Sequence, residues 1–443
     1  MIARYIALFL LFGLALAASL EEAKAALERG DYRQAALFFE EALAQDYTRP
    51  EAHLGLGVAL FRLGRLEEAR FAFSQMALLF PDRAEGFYNL GLVDLRLGRL
   101  EEAVEALSKA VSLAPTEEAY LALAEAQRGL GKPKEAAEAL KKGFTPERSP
   151  RYRLALARAL FEAGRGAEGV PLLYEVLNRA PKEAQAWDLL AQILAKEGLK
   201  ARALRELDRG LAQVEGKDRA LLLYRKGLLS GEEGPLREAL AQDPAFWPAA
   251  YLLGKRRLEG KNPKAALPFL LEAYQASKEP EVALALAAAH LGLGEAEPAY
   301  RYAKEAGPMG GLLQAQAAYR LGRLEEAEAL LKKRSEPEAR ALLGQVYLAL
   351  GRPENAVEVL GPLYQAERAP EVGANLAAAY LALGRPSEAE LLLREVLSRS
   401  ERLAPAWYNL GIALRALGRE EEAMRAFRRA ADLGYAPARA LLR

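Results

Sequence analysis

A short phrase that closes on glycine and then restarts an apolar stripe recurs along this chain, and it constrains the fold more than any other feature. It reads LERGDYRQA at residue 27, FRLGRLEEA at 61, LRLGRLEEA at 95, RGLGKPKEA at 128, LALGRPENA at 348, LALGRPSEA at 381 and RALGREEEA at 415. Its glycine falls at Gly30, Gly64, Gly98, Gly131, Gly164, Gly198, Gly260, Gly294, Gly322, Gly351, Gly384 and Gly418. Most gaps are 33 or 34 residues, two are 28 and 29, and the 62 between Gly198 and Gly260 holds two slightly short units. Twelve units and a degraded thirteenth thus account for nearly all of the 443 residues. A repeat of this length is one supersecondary unit that buries its apolar face only by stacking on its neighbours.

Each unit reads as a helical hairpin. Phe87, Leu90, Gly91 and Asp94-Leu95 form a stripe at helical spacing that runs to Gly98. Gly98 ends that helix, since a residue without a β-carbon takes the left-handed cap at least cost. Ala103, Leu107 and Ala110 mark a second helix, and Pro115 closes the unit before the next one opens. Gly57, Gly91, Gly254, Gly344 and Gly411 in the first helices are expected to face Ala69, Ala103, Ala266, Ala356 and Ala423 in the second, letting the pair approach closely.

This pattern resembles the tetratricopeptide repeat (TPR), a 34-residue helix-turn-helix. Its order of aromatic, Leu-Gly, Leu or aromatic, Ala, Phe, Ala and Pro is followed by Trp407, Leu410, Gly411, Leu414, Ala423, Phe427, Ala430 and a late Pro437. It is followed again by His53, Leu56, Gly57, Leu60, Ala69, Phe73, Met76 and Pro81. The resemblance covers Leu20 to Arg443 and implies an all-α fold, an α-solenoid in which about 12 to 13 hairpins form a right-handed superhelix. It also implies a concave groove, lined by the first helices, that binds proteins or peptides. Carried over position by position, the groove residues are Tyr88, Leu92, Leu121, Glu125, Arg158, Asp188, Gln192, Tyr251, Lys255, Leu312, Gln316, Tyr319 and Gln345. A clamp for a chain terminus needs Lys and Asn on successive first helices; Tyr, Leu, Asp or Gln stand there instead, so no such clamp is expected.

Composition narrows the function further. Lys+Arg (61) and Asp+Glu (60) nearly cancel, which leaves no basic field for nucleic acid. With no cysteine and two histidines, thiolate chemistry and His-rich metal sites are disfavoured. His53 and His290 read as packing residues, and no catalytic, metal or cofactor site is expected. Glu67-Glu68, Glu101-Glu102 and Glu325-Glu326 could do acid-base work if isolated in a cleft. Their recurrence in the first turn of each second helix points instead to helix-dipole complementation and a wet surface.

Residues 1–18 differ from the rest. Arg4 precedes an uncharged run from Tyr5 to Ala18, and Ala15-Leu16-Ala17 supplies the small residues a signal peptidase needs. The segment reads as a secretory signal peptide; left uncleaved, Ile2 to Leu20 approaches the length of a membrane anchor. The expected organisation is a signal at 1–18, a first array at 19–215, a shortened repeat and possible bend at 216–246, and a second array with a capping helix at 247–443. Scarce Asn and Met and an excess of Arg over Lys fit a bacterial source. Together these features point to a non-enzymatic, exported scaffold of the periplasm or cell exterior, binding other proteins in envelope assembly. A membrane-anchored assembly factor is one alternative. A substrate-selecting region of an enzyme is another, although no unit-free stretch is long enough for a catalytic module.

Overall fold

A computed structural model describes residues 20–442, and among these every regular element is helical. The expected signal segment at 1–18 lies outside the described residues. The chain divides between Pro235 and Leu236 into two compact units. In the first, helices pair as expected, for example Pro50–Arg62 with Leu66–Leu79 and Ala84–Leu97 with Leu100–Leu113. In the second, the same pairing joins Trp247–Glu259 to Pro263–Ser277 and Ala404–Ala416 to Glu420–Asp432. Each hairpin packs on the next within its unit, so the core is a succession of layers rather than one centre.

The turn chemistry follows the sequence. Gly98 has φ +73°, its N–H donates to the Leu95 carbonyl, and the Arg99 N–H reaches back to the Asp94 carbonyl at 2.9 Å. Those bonds close the helix with a six-residue loop that needs the left-handed conformation. Gly98→Val is expected to cost about 1 kcal/mol or more, because a β-branched side chain is forced into that region. Hydrogen exchange should show the loss concentrated in residues 84–113 and their neighbours; uniform loosening of the whole unit would contradict layered stability.

Gly260 departs from this rule. It has φ −75°, and Lys261 takes the left-handed position instead, at φ +55°. The reason is register: Ala266 stands five residues after Lys261, as Ala103 does after Gly98, so the glycine comes one residue early. Asn262 then caps the following helix, its side chain accepting from the Ala265 N–H at 3.0 Å. In the degraded unit the turn falls at Gly231, φ +88°, followed by the short helix Gly234–Gln242.

The helix-helix approach also differs from expectation. The nearest neighbour of each first-helix glycine is not the expected alanine but a larger side chain. A β-carbon on Gly411 would lie 2.5 Å from Phe427, and one on Gly254 would lie 2.6 Å from Leu270. Gly57, Gly91 and Gly344 are crossed in the same way by Phe73, Leu107 and Leu360. The alanine is buried, but the large residue one turn beyond it lies over the glycine, so glycine makes room for bulk; at Gly254 the Ala266 carbonyl also approaches, 3.3 Å from the absent β-carbon.

Candidate partner-binding surface

The groove residues expected from the repeat register lie on first helices, but their surroundings differ. Tyr88 and Leu92 on Ala84–Leu97 are half-buried against Ala103, Leu107 and Leu123. Burial pushes the Tyr88 hydroxyl above its ordinary range, with Glu118 adding to the effect and Arg151 opposing it. Leu121 and Glu125 share a recess of about 200 Å³ with Ala124, Arg128, Leu140, Arg151 and Ala155. Two successive first helices line the recess, Glu117–Gly129 and Pro150–Glu162, and Tyr88 lies on the first helix before them. The recess combines an apolar floor with charges of both signs.

Other groove residues are engaged within the chain. Asp188 is buried rather than presented to a ligand, accepting from Gln192 Nε2 at 2.8 Å and from the Arg225 guanidinium at 2.5 and 3.1 Å. Arg225 comes from the degraded unit and supplies a cation that the groove register alone does not indicate. Arg158 donates to Gln185 at 3.3 Å. In the second unit Tyr251 is half-buried near Trp247, Lys255 is exposed, and Gln316 and Gln345 are half-buried. Leu312 and Tyr319 pack against the large cluster that contains Ala315, Leu343 and Tyr347.

The position eleven residues before the turn glycine does more than pack. His53 Nε2–H donates to the Tyr47 carbonyl at 2.8 Å, Trp187 Nε1–H to Pro181 at 2.9 Å, and Trp407 Nε1–H to Glu401 at 2.8 Å. Each ring N–H thereby fastens the connection that precedes its helix. Arg153 holds the same position and is 2% exposed, donating to the Pro146 carbonyl at 2.6 Å, to the Arg148 carbonyl and to Glu175 at 2.8 Å. The 144–149 connection is therefore organised around a buried guanidinium. His290 is a packing residue as expected, stacked on Tyr302 with ring centroids 5.5 Å apart and its Nδ1 2.6 Å from Glu295.

Carboxylates of the second helices, Glu67 of the repeated pairs among them, form a ladder. The arginine after the turn reaches the second helix of the preceding unit: Arg99 to Glu67 at 2.8 Å, Arg165 to Glu138 at 2.5 Å, Arg323 to Glu297 at 2.9 Å and Arg419 to Glu390 at 2.7 Å. Arg165 and then Lys141 hold the Glu168 carboxyl down at about 2. These are structural pairs, and each exposed one adds little alone. Among the described residues, no group of three or more His, Asp or Glu side chains is placed to hold a metal ion, and no helix is long and apolar enough to cross a membrane.

Hairpins of this period, turned on left-handed glycines and stacked layer on layer, define an α-helical repeat protein. The chain belongs to the tetratricopeptide repeat family. Models of that repeat match residues 26–90, 84–117, 118–142, 154–220, 312–361, 374–405 and 404–434. Repeats of this family serve protein-protein interaction, and the chain is a scaffold of that kind. No curated protein matches it in sequence. Similar solved structures include a tetratricopeptide repeat protein from Parabacteroides merdae (16% identity, 62% of this chain and 99% of that one, TM-score 0.44). Others are the APC/C hetero-tetramer Cut9-Hcn1 (14% identity, 95% and 94%, TM-score 0.42) and YrrB, a TPR protein with an unusual peptide-binding site (20% identity, 42% and 97%, TM-score 0.38).

Proposed function

We propose that this chain is an exported, non-enzymatic scaffold that holds extended segments of other envelope proteins against its first helices. The observation that carries the reading is the recess of Leu121, Glu125 and Arg151, with Tyr88 on the first helix packed before it. An aromatic ring, an apolar floor and opposed charges suit a peptide held by side-chain packing and polar contacts. Export rests on the uncharged run behind Arg4 and the Ala15-Leu16-Ala17 sequence. If that segment is retained, the same scaffold is tethered to the inner membrane, and the N-terminal sequence of the protein purified from cells separates the two.

The test is photocrosslinking in the native envelope from probes at Tyr88 and Leu121, with an outer control at Leu391, which is 75% exposed. Both inner probes should capture the same protein, and Arg151→Glu should reduce that capture several-fold. Capture from Leu391 equal to that from the inner probes, or none from Tyr88 and Leu121, would overturn the groove assignment.

A further inference from the structure

On a different side of the same hairpins, the second helices Leu66–Leu79 and Leu100–Leu113 border a cavity of about 440 Å³ whose floor is Ala84–Leu97. Asp94 lies in it, four residues before the turn glycine, where Leu60, Leu160, Leu194 and Leu414 stand in other units. Its side chain is 1% exposed. One carboxylate oxygen, Oδ1, accepts from the Arg70 guanidinium; the other, Oδ2, is enclosed and accepts no hydrogen bond. An enclosed oxygen without a donor is costly, whereas the leucine of the other units would carry no such cost.

The cavity that Asp94 lines has a definite chemistry. Phe87, Leu90 and Ala106 give it apolar walls, and Glu102 and Glu105 add two carboxylates that form no ion pair within the described residues. Against these three acids stand Arg70, already committed to Asp94, and Lys109, so the lining carries a net negative charge. A ligand matching it has an apolar stem and a planar head rich in donors.

We propose that this cavity receives an arginine side chain of a protein partner. The stem lies along Phe87, Leu90 and Ala106, and the guanidinium donates to Asp94 Oδ2 and to Glu102 or Glu105. A protein is favoured over a free small cation because the bordering helix Leu66–Leu79 also presents Phe71 and Leu78, 63% and 72% exposed, as contact area for the rest of a partner's surface. This second contact is independent of the groove, since Tyr88 and Leu92 lie on another face of Ala84–Leu97.

Methyl-detected NMR of the mature chain, titrated with N-acetyl-arginine amide, tests the assignment. The Leu90 and Ala106 methyl signals should shift in a saturable way, and the uncharged N-acetyl-citrulline amide should leave them in place. Asp94→Leu should weaken arginine binding at least tenfold while raising the thermal midpoint, and Asp94→Asn, which keeps the shape, should also weaken it. Glu102→Gln combined with Glu105→Gln should weaken it several-fold. Equal shifts from the citrulline probe, shifts from N-acetyl-glutamate amide instead, or full arginine binding by Asp94→Asn would overturn the proposal.

Discussion

Gly310→Ala is expected to destabilise its part of the chain by about 3 kcal/mol or more, the upper range for overpacking by one methyl group. Gly310 ends the one-turn 3-10 helix Gly307–Gly310, which joins Ala296–Glu305 to Gly311–Arg320. A β-carbon there would overlap the Ala303 carbonyl oxygen and lie 2.7 Å from its carbon. The obstacle is backbone in a formed helix, so no side-chain rotation relieves it. Gly307, three residues earlier, provides the control. It has φ +62° with nothing within 4 Å of its absent β-carbon, so Gly307→Ala meets only left-handed strain of about 1 kcal/mol. Hydrogen exchange over residues 296–331 and denaturant unfolding should separate the two variants clearly. Equal losses would mean that the backbone approach at Gly310 does not limit packing.

The same pair explains why some of the fold was legible in the sequence. A left-handed turn is written into the residue that forms it, because glycine alone enters that region without strain, and Gly98 or Gly418 could be placed directly. Close approach leaves no such mark. Gly57 and Gly411 were readable as contact points, but not that Phe73 and Phe427 would cross them rather than Ala69 and Ala423. One turn of helix separates those choices, and only the stagger of the two helices decides between them. Gly260 failed for the opposite reason: glycine was present, but the register of Ala266 assigned the turn to Lys261.

Groove positions show the same division. Spacing puts Leu121 and Asp188 on equivalent faces of first helices, yet Leu121 lines an open recess while Asp188 is buried under Arg225. Arg225 belongs to the unit whose repeat phrase has decayed, so no alignment of phrases indicates the pairing. The arginine ladder did have a signal. Arg65, Arg99, Arg165, Arg323, Arg385 and Arg419 all follow the turn glycine, which marks the cation, but the acceptors keep no common register: Glu67 and Glu297 stand in the first turn of their helices, Glu138 and Glu390 a turn further on.

Arg153→Met is expected to cost about 2–4 kcal/mol, because it removes a buried cation together with the donors for two loop carbonyls. In three units, at His53, Trp187 and Trp407, the position carries a ring N–H aimed at one carbonyl; Arg153 fastens Pro146 and Arg148 at once and stacks over Phe144 at 5.5 Å. Methionine keeps much of the volume and none of the donors, so the 144–149 connection should lose exchange protection first, followed by the helix Pro150–Glu162. Glu175→Gln separates the ionic part from the rest. Glu175 is half-exposed, so that variant should cost no more than the roughly 0–1 kcal/mol of a surface pair. If Glu175→Gln cost as much as Arg153→Met, the ion pair rather than the carbonyl bonds would hold the connection. Arg153→Trp supplies one donor in place of several and should fall between wild type and methionine, which would make the arginine a functional substitute for the ring at this position in the repeat.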